Sequence, residues 1–258
     1  MYSGRMSNYR GLVPGTFTMG NVVCGFLSLL SSFEHNVTAA CWFVVLAAFL
    51  DALDGKVARL SGASSRFGVE LDSLADLLSF GVAPAMIVYS IKLSALGKWG
   101  LIISIVYIMA ASYRLARYNL LADSEEKKDF VGLPVPAAAL ALVSFVIFCY
   151  DAFGELEYSE ILVSMIVLFA FLMVSQVQYE SLPDRFDNRP ARIRLAIMIV
   201  AAIAVLFRPR LLLFPVCASY ILLGMIRELY RLMNLGVERV TNRHPRRRKT
   251  DRMIDHEQ

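Results

Sequence analysis

Apolar residues are gathered into eight long runs, at approximately 13–33, 38–60, 69–91, 97–118, 134–152, 158–178, 192–207 and 211–232. All but the shorter seventh run come close to the ~20 residues that a helix needs to cross about 30 Å of hydrocarbon. The pattern predicts an all-α, polytopic integral membrane protein. The first run follows Arg5 and Arg10, as the core of a secretion signal does. It is long, however, carries Pro14, Thr18 and Asn21, and shows no small-residue cleavage site, so it reads as a retained span.

Composition agrees: the 258 residues are 57% hydrophobic and only 19% charged, with a mean hydropathy of +0.55. That balance excludes an ordinary soluble domain. Of the 26 basic residues, 22 fall in the segments before the first run and after every even-numbered one, leaving Lys92, Lys98, Arg208 and Arg210 on the other side. Basic residues beside spans stay cytoplasmic, so both termini are expected in the cytoplasm, at the cell or inner membrane of a prokaryote. The tail, 233–258, has four consecutive basic residues at 246–249. Directly after a span, such a tail suits anionic lipid better than nucleic acid. Cys24, Cys41, Cys149 and Cys217 are dispersed, which suggests buried thiols, and His35, His244 and His256 lie outside the runs.

Four carboxylates break the apolar pattern: Asp51 and Asp54 close the second run, and Asp72 and Asp76 open the third. An aspartate at membrane depth costs about 2.5–3.5 kcal/mol on insertion scales, which calls for a compensating cation. Spacings of three and four place each pair on one helix face, and the short connection between the helices makes them antiparallel neighbours. All four carboxylates can then converge. Oxygen donors without His or Cys select Mg²⁺ or Mn²⁺, or Ca²⁺ in a larger cavity. Four carboxylates exceed what one Mg²⁺ usually takes from protein, so two divalent cations are expected. Gly55, Ala58 and Gly68 leave little side chain beside them, and Arg59 can clamp a phosphate or neutralise an aspartate.

These positions carry a resemblance. Asp51, Asp54-Gly55, Ala58-Arg59, Gly68, Asp72 and Asp76 match, at every spacing, the signature of the CDP-alcohol phosphotransferase family, and Pro14, Thr18 and Asn21 resemble residues preceding it in many members. The resemblance implies a six-helix intramembrane core, usually dimeric, with two C-terminal transmembrane helices added here. The expected division is a catalytic core over 1–180, a helix pair over 181–232 and a basic tail over 233–258. It further implies transfer of a phosphoalcohol from a CDP-alcohol to a second alcohol, with release of CMP. Asp51, Asp54, Asp72 and Asp76 are implied metal ligands, with Asp76 also the general base. Thr18, Asn21, Gly55, Ala58, Arg59 and Gly68 are implied to line the CDP-lipid pocket.

The strings Arg114-Leu115-Ala116-Arg117-Tyr118-Asn119 and Phe130-Val131-Gly132-Leu133-Pro134-Val135-Pro136 are similar to those of the phosphatidylserine synthase branch, which joins CDP-diacylglycerol to L-serine. That makes Arg114, Arg117, Tyr118 and Asn119 the candidate acceptor-binding residues. The two arginines can instead serve as positive charge at anionic headgroups, and Gly132, Pro134 and Pro136 suit a tight turn into a helix. Two other functions fit the aspartates: a sister enzyme that uses inositol phosphate or glycerol phosphate, and a cation transporter. The transporter gives no reason for Gly55, Ala58, Arg59 and Gly68 to accompany the carboxylates.

Overall fold

The computed structural model describes residues 6–61, 66–122, 132–154, 159–175, 200–201 and 203–241. Among these, helices joined by turns make up the whole architecture: α1 (Met6–Phe33), α2 (Val37–Ser61), α3 (Arg66–Asp76), a π-helical segment (Leu77–Val82), α4 (Ala83–Ile91), a short 3₁₀ turn (Leu93–Leu96), α5 (Lys98–Ala122), α6 (Val135–Phe153), α7 (Ser159–Val174) and α8 (Pro209–Thr241). Among the described residues, six helical stretches are long and apolar enough to cross a membrane, with α7 shorter. The chain is an all-α polytopic membrane protein. The described part of the expected seventh run, 200–201 and 203–207, is helical, and α8 continues through 233–241 of the expected tail; the rest of that run, 123–129 of the charged connection, the linker at 178–194 and the tail from 242 on lie outside the described residues.

The first two helices form a hairpin whose turn follows from three residues. His35 takes the left-handed conformation (φ 59°), and the Asn36 N–H returns to the Ser31 carbonyl at 2.9 Å, satisfying a carbonyl that the helix end orphans. The Asn36 side chain then accepts the Ala39 N–H at 3.2 Å, capping α2. Ser28, fully buried, donates to the Ala40 carbonyl at 2.9 Å and locks the pair.

The third run is one rod with a defect. After Asp76 the backbone shifts to π geometry, and the Ala83 N–H reaches the Leu78 carbonyl five residues back. Pro84 lies just beyond and has no N–H to offer the Phe80 carbonyl four residues earlier. Tyr107 of α5, fully buried, donates its hydroxyl to that carbonyl at 3.3 Å. In hydrocarbon no water can make up a missing backbone bond, so this tyrosine both repairs the rod and fastens α5 to it.

Helix α6 is the most buried span, and α8 leans on it through Phe214, whose ring lies 5.0 Å from Phe145 and 5.7 Å from Phe148. The turn into α6 is built by Gly132, at φ 90°, where a Cβ would fall 2.6 Å from the Met173 carbonyl oxygen. Leu133 then donates its N–H to the Leu172 carbonyl at 3.1 Å, and Pro136 occupies the first turn of α6, where no intrahelical N–H is required. These residues shape the turn. The four cysteines are free, with Cys24, Cys41 and Cys149 buried.

Gly25 is where α1 touches the π segment: a methyl there collides with the Ser79 hydroxyl and lies 3.1 Å from its Cα, whereas Gly15 faces open space. Gly25→Ala is therefore expected to cost about 1–3 kcal/mol through overpacking, and Gly15→Ala to be neutral or mildly stabilising. Thermal unfolding midpoints of the purified protein in detergent distinguish them. Equal midpoints would contradict the close approach of α1.

Candidate active site

Three of the four aspartates meet. One carboxylate oxygen each from Asp51 on α2 and from Asp72 and Asp76 on α3 lie within 4.8 Å of one another. Asp54, only 6% exposed, stands beside this group and accepts a hydrogen bond from the Thr18 hydroxyl, while its Oδ1 has no hydrogen-bond partner among the described residues. Asn21, one turn along α1 from Thr18, donates Nδ2 to Asp76 Oδ1 at 3.3 Å. Its own backbone carbonyl accepts the Ser79 hydroxyl at 2.9 Å. Helix α1 thus supplies no carboxylate but orients two.

Like charges this close at membrane depth require a cation or a proton to compensate them. No Lys or Arg among the described side chains pairs with these aspartates. The donor set is oxygen only, and the buried Asp54 Oδ1 is left with acceptor capacity unused. This fits a hard divalent cation such as Mg²⁺ or Mn²⁺. Beside the cluster, a Cβ on Gly55 would meet nothing within 4 Å, so the wall there is open. Gly68 is half-buried near the start of α3. Ala58 and Arg59 lie on α2, but their side chains are outside the described set.

The candidate acceptor residues on α5 divide by direction. Arg114, only 8% exposed, shares the inward face with Tyr107 and Ala111 and is near enough to Asp76 for their charges to interact. Its guanidinium carbon sits 5.7 Å from the centre of the Tyr118 ring, and its Nε has no partner among the described residues. Asn119 instead donates to Ser73 Oγ at 2.9 Å, tying α5 to α3 between Asp72 and Asp76. Arg117 is half-buried on the stripe of Val106, Ala110 and Tyr113, about a quarter turn from the inward face at 100° per residue. Arg114 and Tyr118 thus lie together, while Asn119 is turned to α3.

Sequence reasoning passed over Ser73, Ser79 and Tyr107, whose hydroxyls hold this site together. A hydroxyl inside an apolar run gives no sign of which helix it will meet. Pro84 was the available signal for Tyr107, because it announces a carbonyl in need of a donor.

A model of the family described as CDP-alcohol phosphatidyltransferase matches residues 11–177. The chain is 34% identical over 226 residues to a CDP-diacylglycerol–serine O-phosphatidyltransferase of Helicobacter pylori, an alignment covering 87% of this chain and 94% of that protein. It is 37% identical over 168 residues to the protein of that name in Bacillus subtilis, covering 65% and 89% respectively. It is also 35% identical over 169 residues to an archaetidylserine synthase of Methanothermobacter thermautotrophicus, covering 65% and 69%.

The carboxylate cluster leads to a direct expectation for metal binding. Mn²⁺ titrated into the detergent-purified protein and followed by electron paramagnetic resonance should bind, and Asp72→Asn should remove most of that binding. Thr18→Val, which strips Asp54 of its orienting donor, is expected to weaken the metal about 10–100-fold. Binding indifferent to both substitutions would place the metal elsewhere.

Proposed function

The chain belongs to the CDP-alcohol phosphatidyltransferase family, and on that premise we propose that it transfers the phosphatidyl group of CDP-diacylglycerol to the hydroxyl of L-serine, giving phosphatidylserine and CMP. The observation that carries the chemistry is the meeting of Asp51, Asp72 and Asp76 within 4.8 Å, beside the buried Asp54. The acceptor follows from the relatives: the bacterial proteins and the archaeal one differ in the lipid that they are named for and share serine.

In this reading Asp51, Asp54, Asp72 and Asp76 hold two divalent cations, Mg²⁺ or Mn²⁺. When bound, these neutralise charge on the pyrophosphate and on departing CMP. The open wall at Gly55, together with Thr18, Asn21, Ala58, Arg59 and Gly68, receives the CDP portion of the donor. Asp76, oriented by Asn21, takes the proton from the serine hydroxyl. The serine oxygen forms a bond to the phosphatidyl phosphorus as the bond from that phosphorus to the bridging oxygen breaks, and CMP leaves with the electron pair. The displacement is proposed to be direct, with the serine hydroxyl as the attacking group.

Arg114 is the proposed site for the serine carboxylate. It is buried, charged, close to Asp76, and retains donor capacity in its unpartnered Nε. The Tyr118 ring, 5.7 Å from its guanidinium carbon, favours the charged form there, while Asn119 acts by holding Ser73 and hence α3. The working form is proposed to be a homodimer with both termini cytoplasmic, so the site opens toward cytosolic serine.

CMP release by the purified protein with CDP-diacylglycerol and Mn²⁺ or Mg²⁺ tests the proposal, comparing serine, inositol phosphate, glycerol phosphate and no acceptor. Release stimulated by serine alone is expected, and Asp76→Asn should slow it about 10²–10⁴-fold while CDP-diacylglycerol still binds. Stimulation by another alcohol would keep the metal site and overturn the acceptor; ion flux without CMP would indicate a transporter. Arg114→Ala should raise the KM for serine about 30-fold or more, as loss of a buried charged partner does, with little change in the KM for CDP-diacylglycerol. An unchanged serine KM would remove Arg114 from the acceptor pocket.

A further inference from the structure

Between α5 and α7 runs an open groove of about 570 Å³, walled by Ile102, Val106, Met109 and Tyr113 on one side and by Val167 and Phe171 on the other. Only Tyr113 among these carries a polar group. From Ile102 to Tyr113 the groove follows α5 for about 16 Å at 1.5 Å per residue, close to half of a ~30 Å hydrocarbon core. Its length is the depth of one leaflet. The end at Tyr113 lies toward the aspartate side of the membrane, since Asn119, further along α5, is bonded to Ser73.

Helix α5 itself separates this groove from the aspartates. Its inward face, with Tyr107 bonded to the Phe80 carbonyl and Arg114 near Asp76, is about a quarter turn away. A chain lying in the groove therefore belongs to a lipid other than the one reacting at the carboxylates. One turn beyond Tyr113, on the same stripe, Arg117 is half-buried and pairs with no carboxylate among the described residues. A cation at the mouth of an apolar channel one leaflet deep complements an anionic headgroup above a fatty-acyl tail.

We propose that the α5–α7 groove binds one acyl chain of an anionic phospholipid in the leaflet on the aspartate side, with the lipid phosphate held by Arg117. The site is separate from that of the reacting lipid.

The test uses the full chain reconstituted in vesicles containing a phosphatidylglycerol with a photoactivatable diazirine in its acyl chain, followed by peptide mapping. Labelling is expected to concentrate on the groove-lining residues of α5 and α7. Val106→Trp and, independently, Val167→Trp should sharply reduce it while serine-dependent CMP release persists, which shows that the fold survives. Arg117→Gln should lower labelling by this probe about fivefold, the contribution of one cation near an anionic surface, and leave labelling by a matching phosphatidylcholine probe unchanged. Three results overturn the proposal: label spread evenly over all lipid-facing helices, displacement of the probe by CDP-diacylglycerol at concentrations that saturate turnover, or efficient disulfide formation between copies of a Val106→Cys variant without labelling. The second would give the groove to the reacting lipid and the third to a second copy of the chain.

Discussion

Holding three carboxylates within 4.8 Å inside a bundle that crosses hydrocarbon is the constraint around which the other contacts are arranged. Mutual repulsion and desolvation both oppose it. Two helices alone could relieve the repulsion by rotating or separating. Helix α1 prevents this, with Thr18 on Asp54 and Asn21 on Asp76, and the hairpin turn and the Ser28 bond to Ala40 fix α1 against α2. Gly25 permits the contact, since any side chain there would push the π segment away. A span with no acid of its own thus sets the geometry of the acidic site.

The π segment is the second half of the same solution. It begins directly after Asp76, and Ser79 within it donates to the Asn21 carbonyl, so the residue that orients Asp76 is itself held from the segment that Asp76 precedes. Departure from α geometry frees backbone groups, and a membrane interior makes each one costly. Tyr107 answers one of them from α5, which also brings Arg114, two turns later on the same face, toward Asp76. Backbone satisfaction and placement of the buried Arg114 are accordingly one arrangement of α5.

The spans and the acidic signature were legible in the sequence because both depend on local quantities: run length against membrane thickness, and spacing against helix pitch. The short connection suggested that the two acidic helices pack directly on each other, whereas among the described residues α3 packs chiefly on α1, which in turn packs along α2. Less accessible was the separation of Asp54 from the other three, because it arises from a threonine 36 residues away, and no periodicity encodes that meeting. The third run was expected as an unbroken helix; Gly81 and Pro84 were visible in it, but the shift to π geometry depends on a donor from another helix. Nor did the string Arg114 to Asn119 show which of its side chains would turn inward and which toward α3, because that depends on how α5 is rotated against its neighbours.

The rotation of α5 also sets its two arginines apart. They are three residues apart and carry equal charge, yet one is buried within electrostatic reach of Asp76 and 5.7 Å from the centre of the Tyr118 ring, while the other is half-buried, one turn beyond Tyr113 of the groove. A buried guanidinium with an unused donor is costly unless something anionic completes it. A half-buried one at the end of a lipid-deep groove meets headgroups without further cost. The first position suits a ligand that comes and goes with turnover, and the second suits one that stays. Burial, not charge or position in the string, separates the cation proposed for the acceptor from the one proposed for a lipid headgroup.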